Sequence, residues 1–189
     1  MYFKRYNLIN KQITSTQPNG PFVSYYGKYA LCTNARCKLI NGLLYCECNV
    51  KKGLAVASKQ ATNNSPYNYS PYIMNGKEYI FSLYSGINQA VLTKQTCTSG
   101  TWGDCLDKVC VIDKNNPSKA ICKCTPYATS NWITFQYNKN KNPCSCNNLS
   151  GASNTAYQNI EKYYLQTKLN NIQNKKNKNK KNKKNKKVV

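Results

Sequence analysis

The sequence predicts a small α+β protein, β-rich and stapled by disulfides: two hairpin modules, one C-terminal helix and a disordered basic tail. Three observations predict it. A four-cysteine pattern occurs twice, a tight-turn signal sits at the centre of one copy, and the chain closes on a run of lysine and asparagine. Composition sets the bounds. Leu, Ile, Val and Phe make up only 35 of 189 residues and the net charge is +22, a combination that normally reads as disorder. Against that stand 16 Tyr, each bringing a large burial area and a polar handle, and 11 Cys, enough to hold a thin core together covalently.

Residues 1–20 are polar and end in Gln17-Pro-Asn-Gly20, a turn signal; they read as a flexible arm. Residues 21–173 read as one cysteine-rich domain with modules at about 29–50 and 102–126. Pro21 leads into an extended stretch, Phe22 to Leu31, expected as a strand. The first quartet is Cys32-x4-Cys37-x8-Cys46-x-Cys48 and the second is Cys105-x4-Cys110-x11-Cys122-x-Cys124. The outer spacings are identical and only the middle differs, which marks an internal repeat.

Asn41-Gly42 is a two-residue type I′ turn signal. Centring a hairpin there sets Ile40 against Leu43, Leu39 against Leu44 and Cys37 against Cys46. The cysteines fall at a non-hydrogen-bonded pair, with Cα atoms about 4.5 Å apart, within reach of a disulfide. Leu39, Leu44, Cys46 and Cys48 share the face of Cys37. In the second module a longer loop, Lys114 to Ser118 with Pro117, sets Cys110 against Cys122. The favoured pairing is Cys37–Cys46 with Cys32–Cys48, and Cys110–Cys122 with Cys105–Cys124. Four cysteines allow three connectivities, and the crossed set, 32–46 with 37–48, is the rival. Cys97, Cys144 and Cys146 remain, with Cys97 expected to reach one of the other two. Eleven is odd, so one cysteine is free or intermolecular if all the others pair.

Between and after the modules, residues 51–76 read as irregular. Lys77–Tyr84 alternates as a strand with Tyr79, Phe81 and Leu83 on one face, and Val91–Thr96 and Ile133–Tyr137 are further strands. Asn63, Asn68 and Asn148 open glycosylation sequons, but asparagine is so abundant that chance matches are expected, and prolines follow the first two. Thr155 and Gln158 have capping-box spacing. Ile160, Tyr164, Leu165, Leu169 and Ile172 then recur at helical intervals, so a helix is expected over about 156–170.

From Asn174 to Val189 nothing apolar is available to bury until the last two residues, and the charges repel, so this segment is expected to stay disordered. Nine lysines lie there: Lys175, Lys176, Lys178, Lys180, Lys181, Lys183, Lys184, Lys186 and Lys187. Setting them aside from +22 leaves +13, so the body is basic in its own right. A polyanion, nucleic acid or an anionic surface, is the partner such charge attracts. AT-rich codons account for much of the same Lys and Asn bias.

Function classes narrow by exclusion. There is no His, which removes His-based triads and His-dependent metal sites. A carboxylate pair remains formally open, but six scattered acids offer little toward one, and Asp104 and Asp107, flanking Cys105, read as turn and capping residues. Four thiolates could hold zinc, but the C-x2-C knuckle is missing, and no C-x-x-C supports redox catalysis. No enzyme activity, cofactor or metal is expected. No apolar run approaches the length of a transmembrane helix, and the first ten residues do not read as a signal peptide.

Trp102-Gly-Asp-Cys-Leu-Asp-Lys-Val-Cys110, Val111 through Cys124, Ser150-Gly-Ala152 before a helix, and Tyr29-Ala-Leu-Cys-Thr33 together resemble a group of uncharacterised cysteine-rich secreted proteins of Gram-negative bacteria, over roughly residues 25–168. The basic tail departs from that group and fits a homologue in a large DNA virus or another AT-rich genome. The group has no assigned activity. The resemblance implies an extracytoplasmic or virion disulfide protein, with the host or bacterial cytoplasm as the alternative. The expected role is that of a non-enzymatic structural or interaction protein; the alternative is a nucleic-acid-associated protein using its lysine tail.

Overall fold

The computed structural model describes residues 22–59, 69–86, 92–136, 144 and 149–185; the arm 1–20, Cys146, Lys186 and Lys187 lie outside them. Among the described residues eleven strands precede one long helix. The first module supplies β1 (Phe22–Leu31), β2 (Cys37–Ile40) and β3 (Leu43–Ser58). After β4 (Tyr72–Met74), β5 (Lys77–Phe81) and β6 (Thr93–Cys97), the second supplies β7 (Thr101–Asp104), β8 (Val109–Ile112) and β9 (Lys119–Ala128). Then come β10 (Trp132–Gln136), β11 (Leu149–Ser153) and α1 (Asn154–Asn185).

The tight turn forms where the local signal places it. Asn41 and Gly42 both take positive φ, 49° and 76°, and the register is Cys37↔Cys46, Leu39↔Leu44 and Ile40↔Leu43. Cys37 and Cys46 are bonded with Cα atoms 4.0 Å apart. The longer loop gives the same result, with Cys110↔Cys122 opposed and bonded. Cys32–Cys48, Cys105–Cys124 and Cys97–Cys144 complete five disulfides. The nested connectivity is therefore the one present, not the crossed one.

The two modules meet strand against strand. β3 and β9 run antiparallel with Cys46 opposite Cys122, so Cys37, Cys46, Cys122 and Cys110 form one row across four neighbouring strands. Side chains in such a row share a face. Together with Cys32, Cys48, Cys105, Cys124, Leu44, Ile80 and Ile112 they make a core rich in sulfur. Covalent bridges stand in here for the aliphatic volume that the composition lacks. Lys119 of one module also reaches Glu47 of the other at 3.1 Å.

The pairings of one module recur in the other. Leu31↔Asn49 in the first matches Asp104↔Thr125 in the second. The loop after each leading cysteine carries one positive-φ residue, Asn34 at 58° and Asp107 at 61°. Each loop closes on a backbone bond, Ala35 N–H to Cys32 O and Lys108 N–H to Cys105 O. The following strands cross over. Ser82, just after β5, lies parallel to Ala30 of the first module while donating its N–H to Lys108 O of the second. Ser150 of β11 lies parallel to Gly103 and donates to Ala35 O. Each half thus places a strand in the other half's sheet.

Three expectations need correction, and a fourth, the face shared by Leu39 and Cys37, holds with unequal burial along it. Residues 51–58 are not irregular but continue β3 to Ser58, paired along β1. Leu54, Ala55, Val56 and Ala57 are all buried, and a strand covered on both faces carries a continuous apolar run instead of an alternation. Leu39 shares the face of Cys37 but is 57% exposed, whereas Leu44 is 1% exposed; the hairpin tip reaches past the core. The helix begins earlier, at Asn154, because the Ser153 hydroxyl rather than Thr155 caps it, accepting the Ala156 N–H at 3.2 Å. It also ends later, at Asn185, so residues 174–185 are helical and not disordered. No Pro or Gly follows Gly151, Lys is a good helix former, and adding turns to a nucleus already packed costs little.

Candidate functional site

Helix α1 is held at its root. Tyr157, Ile160, Tyr164 and Thr167 recur at three- and four-residue intervals and are all buried. Ile160 and Tyr164 pack on Leu54 and Val56 of β3, and Tyr157 packs on Ile133 and Phe135 of β10. Ser24 donates to the Thr167 hydroxyl at 3.4 Å. Tyr157 donates to Glu161 Oε1 at 2.5 Å, and Lys94 sits 5.3 Å over its ring. Burial first, then the bond to Glu161, pushes the Tyr157 hydroxyl above the ordinary tyrosine range. Beyond Thr167 the body ends, and residues 172–179 are exposed without exception.

That exposure settles where the predicted site residues stand. Lys175, Lys176 and Lys178 are exposed on the free half of the helix. Lys180, Lys181, Lys183 and Lys184 belong to the same helical segment by backbone. Leu165, Leu169 and Ile172, which recur at helical intervals, are 51%, 55% and 43% exposed. The sequence pattern is one broad apolar band; the body is wide enough to cover only its Tyr157–Tyr164 side.

The eight module cysteines build the core. Cys32 Sγ lies 3.5 Å from Cys122 Sγ, and Cys32, Cys48 and Cys122, like Cys46, Cys105 and Cys124, bring their sulfurs within 4.8 Å of one another. These six atoms are all in disulfides, and the metal-ligating species is the thiolate, so the clusters are one bridge packed on another.

Asp104 and Asp107 take the turn roles expected of them. Asp104 Oδ1 accepts the Leu106 N–H at 3.0 Å. Asp107 accepts the Ser58 N–H with both oxygens, at 3.1 and 3.3 Å, which ties the end of β3 to the second module. Burial raises both carboxyls above their ordinary pKa, outweighing the bonds they accept.

One feature had no signal in the sequence. A cavity of about 410 Å³ opens at the root of α1, where the loops after Cys32 and Cys105 and the strands through Ser82 and Ser150 converge. Its wall includes Tyr84, Trp102, Asp104, Tyr127, Phe135 and Tyr157. Trp102 stacks on Tyr127 at 4.9 Å and donates its indole N–H to Thr129 at 3.0 Å. A space of this size and lining accommodates a small, mainly apolar molecule. Its parts come from six distant stretches of chain, so no local motif announces it.

No family model matches the chain, and no curated protein or solved structure is similar to it. What the site can do is read from its own chemistry: a rigid disulfide body, a cationic helix standing off it, and an aromatic cavity at the junction.

Proposed function

We propose that this is a non-enzymatic interaction protein of an oxidising, extracytoplasmic or virion setting, in which the disulfide core holds out helix α1 as a cationic contact for a polyanion. The observation that carries this is the contrast along α1: three turns locked into the body, then an exposed segment in which lysine and asparagine alternate. Five disulfides among the described residues fit an oxidising compartment. The resemblance to secreted cysteine-rich proteins points the same way.

Two measurements test this. Mass spectrometry of the native protein without reductant should show at least ten cysteines paired; eight or more free thiols with bound zinc would overturn the compartment and favour the cytoplasm. Binding of the full chain to heparin and to double-stranded DNA should weaken, with a flatter salt slope, when residues 174–189 are removed. Equal binding by both forms at every salt concentration would remove the helix from the contact. The alternative, a nucleic-acid-associated protein, requires DNA or RNA to be preferred over heparin at matched charge.

The cavity supports a second role within the same body, capture of a small apolar molecule. Trp102 reports on it. Titration with 1-anilinonaphthalene-8-sulfonate should change the tryptophan emission of the wild type and not that of Ala156→Phe, which fills the wall. No change in either protein would make the cavity a packing defect.

A further inference from the structure

Leu165, Leu169 and Ile172 leave an apolar stripe on the outer side of α1 that the fold does not use. Their spacing of four and three residues puts them within about 40° of one line along the helix, at 100° per residue. Lys162 and Lys168, both exposed, stand about 60° to either side of that line. Lys176, also exposed, continues it toward the C-terminus. Glu161, the helix's one acid, lies before the stripe and is engaged by Tyr157.

An apolar line bordered and prolonged by cations is matched by a surface that is oily below and anionic above. We propose that α1 lies along an anionic lipid bilayer, with Leu165, Leu169 and Ile172 in the acyl boundary and Lys162, Lys168 and Lys176 among the headgroups. This rests on the polyanion reading of α1 and names its partner. Helices of this kind bind in the interface plane by adding apolar burial to charge attraction, and no helix among the described residues is long and apolar enough to cross. A nucleic acid would use the lysines and leave the three apolar side chains in water. A second copy of this chain would bring a +22 molecule alongside the same lysines.

The test is flotation of the full chain with phosphatidylcholine vesicles, with and without phosphatidylserine, beside heparin binding. The wild type should float only with the phosphatidylserine vesicles. Leu165→Ser/Leu169→Ser/Ile172→Ser should lose about a hundredfold in vesicle affinity and keep its heparin affinity, disulfides and thermal midpoint. Lys162→Gln/Lys168→Gln/Lys176→Gln should weaken both. Vesicle binding unchanged in the triple serine variant would overturn the stripe's role. Heparin binding without vesicle binding by the wild type would overturn the lipid proposal and leave the polyanion reading standing; binding to neither would overturn both. A wild-type dimer that the triple serine change makes monomeric would assign the stripe to self-association and overturn the lipid proposal.

Discussion

The two cysteine modules share their strand pairings yet differ in how tightly each is specified. The first turns through two residues, Asn41 and Gly42, both at positive φ. The second turns through a loop running from Asp113 to Ser118, held by Asp113 accepting the Asn115 N–H and by Asn116 accepting from Ser118. They differ in charge as well. Where the first carries Leu31 and Asn34, the second carries Asp104 and Asp107 at the matching register. One arrangement of backbone thus tolerates two ways of closing a turn and two electrostatic choices. What both modules keep is the cysteine row, so the bridges and not the loops define the unit.

The largest expected effect tests that equality. Cys37→Ala/Cys46→Ala and Cys110→Ala/Cys122→Ala should each cost about 3 kcal/mol in chemical denaturation, because the closed loops are similar in length: the sequence separations are 9 and 12. A difference of more than about 2 kcal/mol between the two, beyond what loop length allows, would show that one module carries the fold.

Next comes the turn. Gly42→Val forces a β-branched residue to positive φ and should cost about 1–3 kcal/mol, with scrambled bridges on oxidative refolding. Pro117→Ala should cost under about 1 kcal/mol and refold with native bridges. Peptide mapping of both variants checks the contrast; native bridges in full yield from Gly42→Val would contradict the turn.

The charge difference predicts a pH dependence confined to the second module. Burial raises the pKa of Asp104 and Asp107, so the folded state holds these protons more tightly than the unfolded state does. Their contribution is fullest below the ordinary carboxylate value of 3.8 and is lost as pH rises through the raised values. Asp104→Asn should therefore become more stable relative to wild type as pH climbs from about 4 to 7, followed by thermal midpoints. Asn34→Gly should leave the pH profile unchanged. The smallest effect belongs to the far helix: deleting residues 174–189 should shift stability by less than about 0.5 kcal/mol.

How much the chain announced depends on the range of the interaction. Asn41-Gly42 and the cysteine spacings are local, and the hairpin register, the nested disulfides and the loop before Ser118 follow from them. The extension of β3 was hidden because Leu54–Ala57 are covered on both faces, which erases the two-residue period. β11 was hidden for a different reason. Leu149–Gly151 is fixed by a parallel partner 47 residues away, Trp102–Asp104, and such pairing leaves no mark on neighbouring residues. At the candidate site, the lysines were plain from composition. The division of the helix into a packed Tyr157–Thr167 face and an exposed Leu165–Ile172 stripe depends on where the body stops, which is a tertiary fact.

The crossed strands through Ser82 and Ser150 carry a consequence for the integrity of the molecule. Every disulfide among the described residues closes on one side of a cut made between Lys59 and Tyr69: two lie before it and three after it. A protease acting there would leave two pieces with no covalent link. They would stay together through β3 on β9, through Ser82 lying beside Ala30, and through Ser150 bonded to Ala35 O, and would part only in denaturant. The same contacts make the pieces interchangeable between molecules, so that two cleaved chains could trade halves and rebuild complete bodies, as fragments do in complementation.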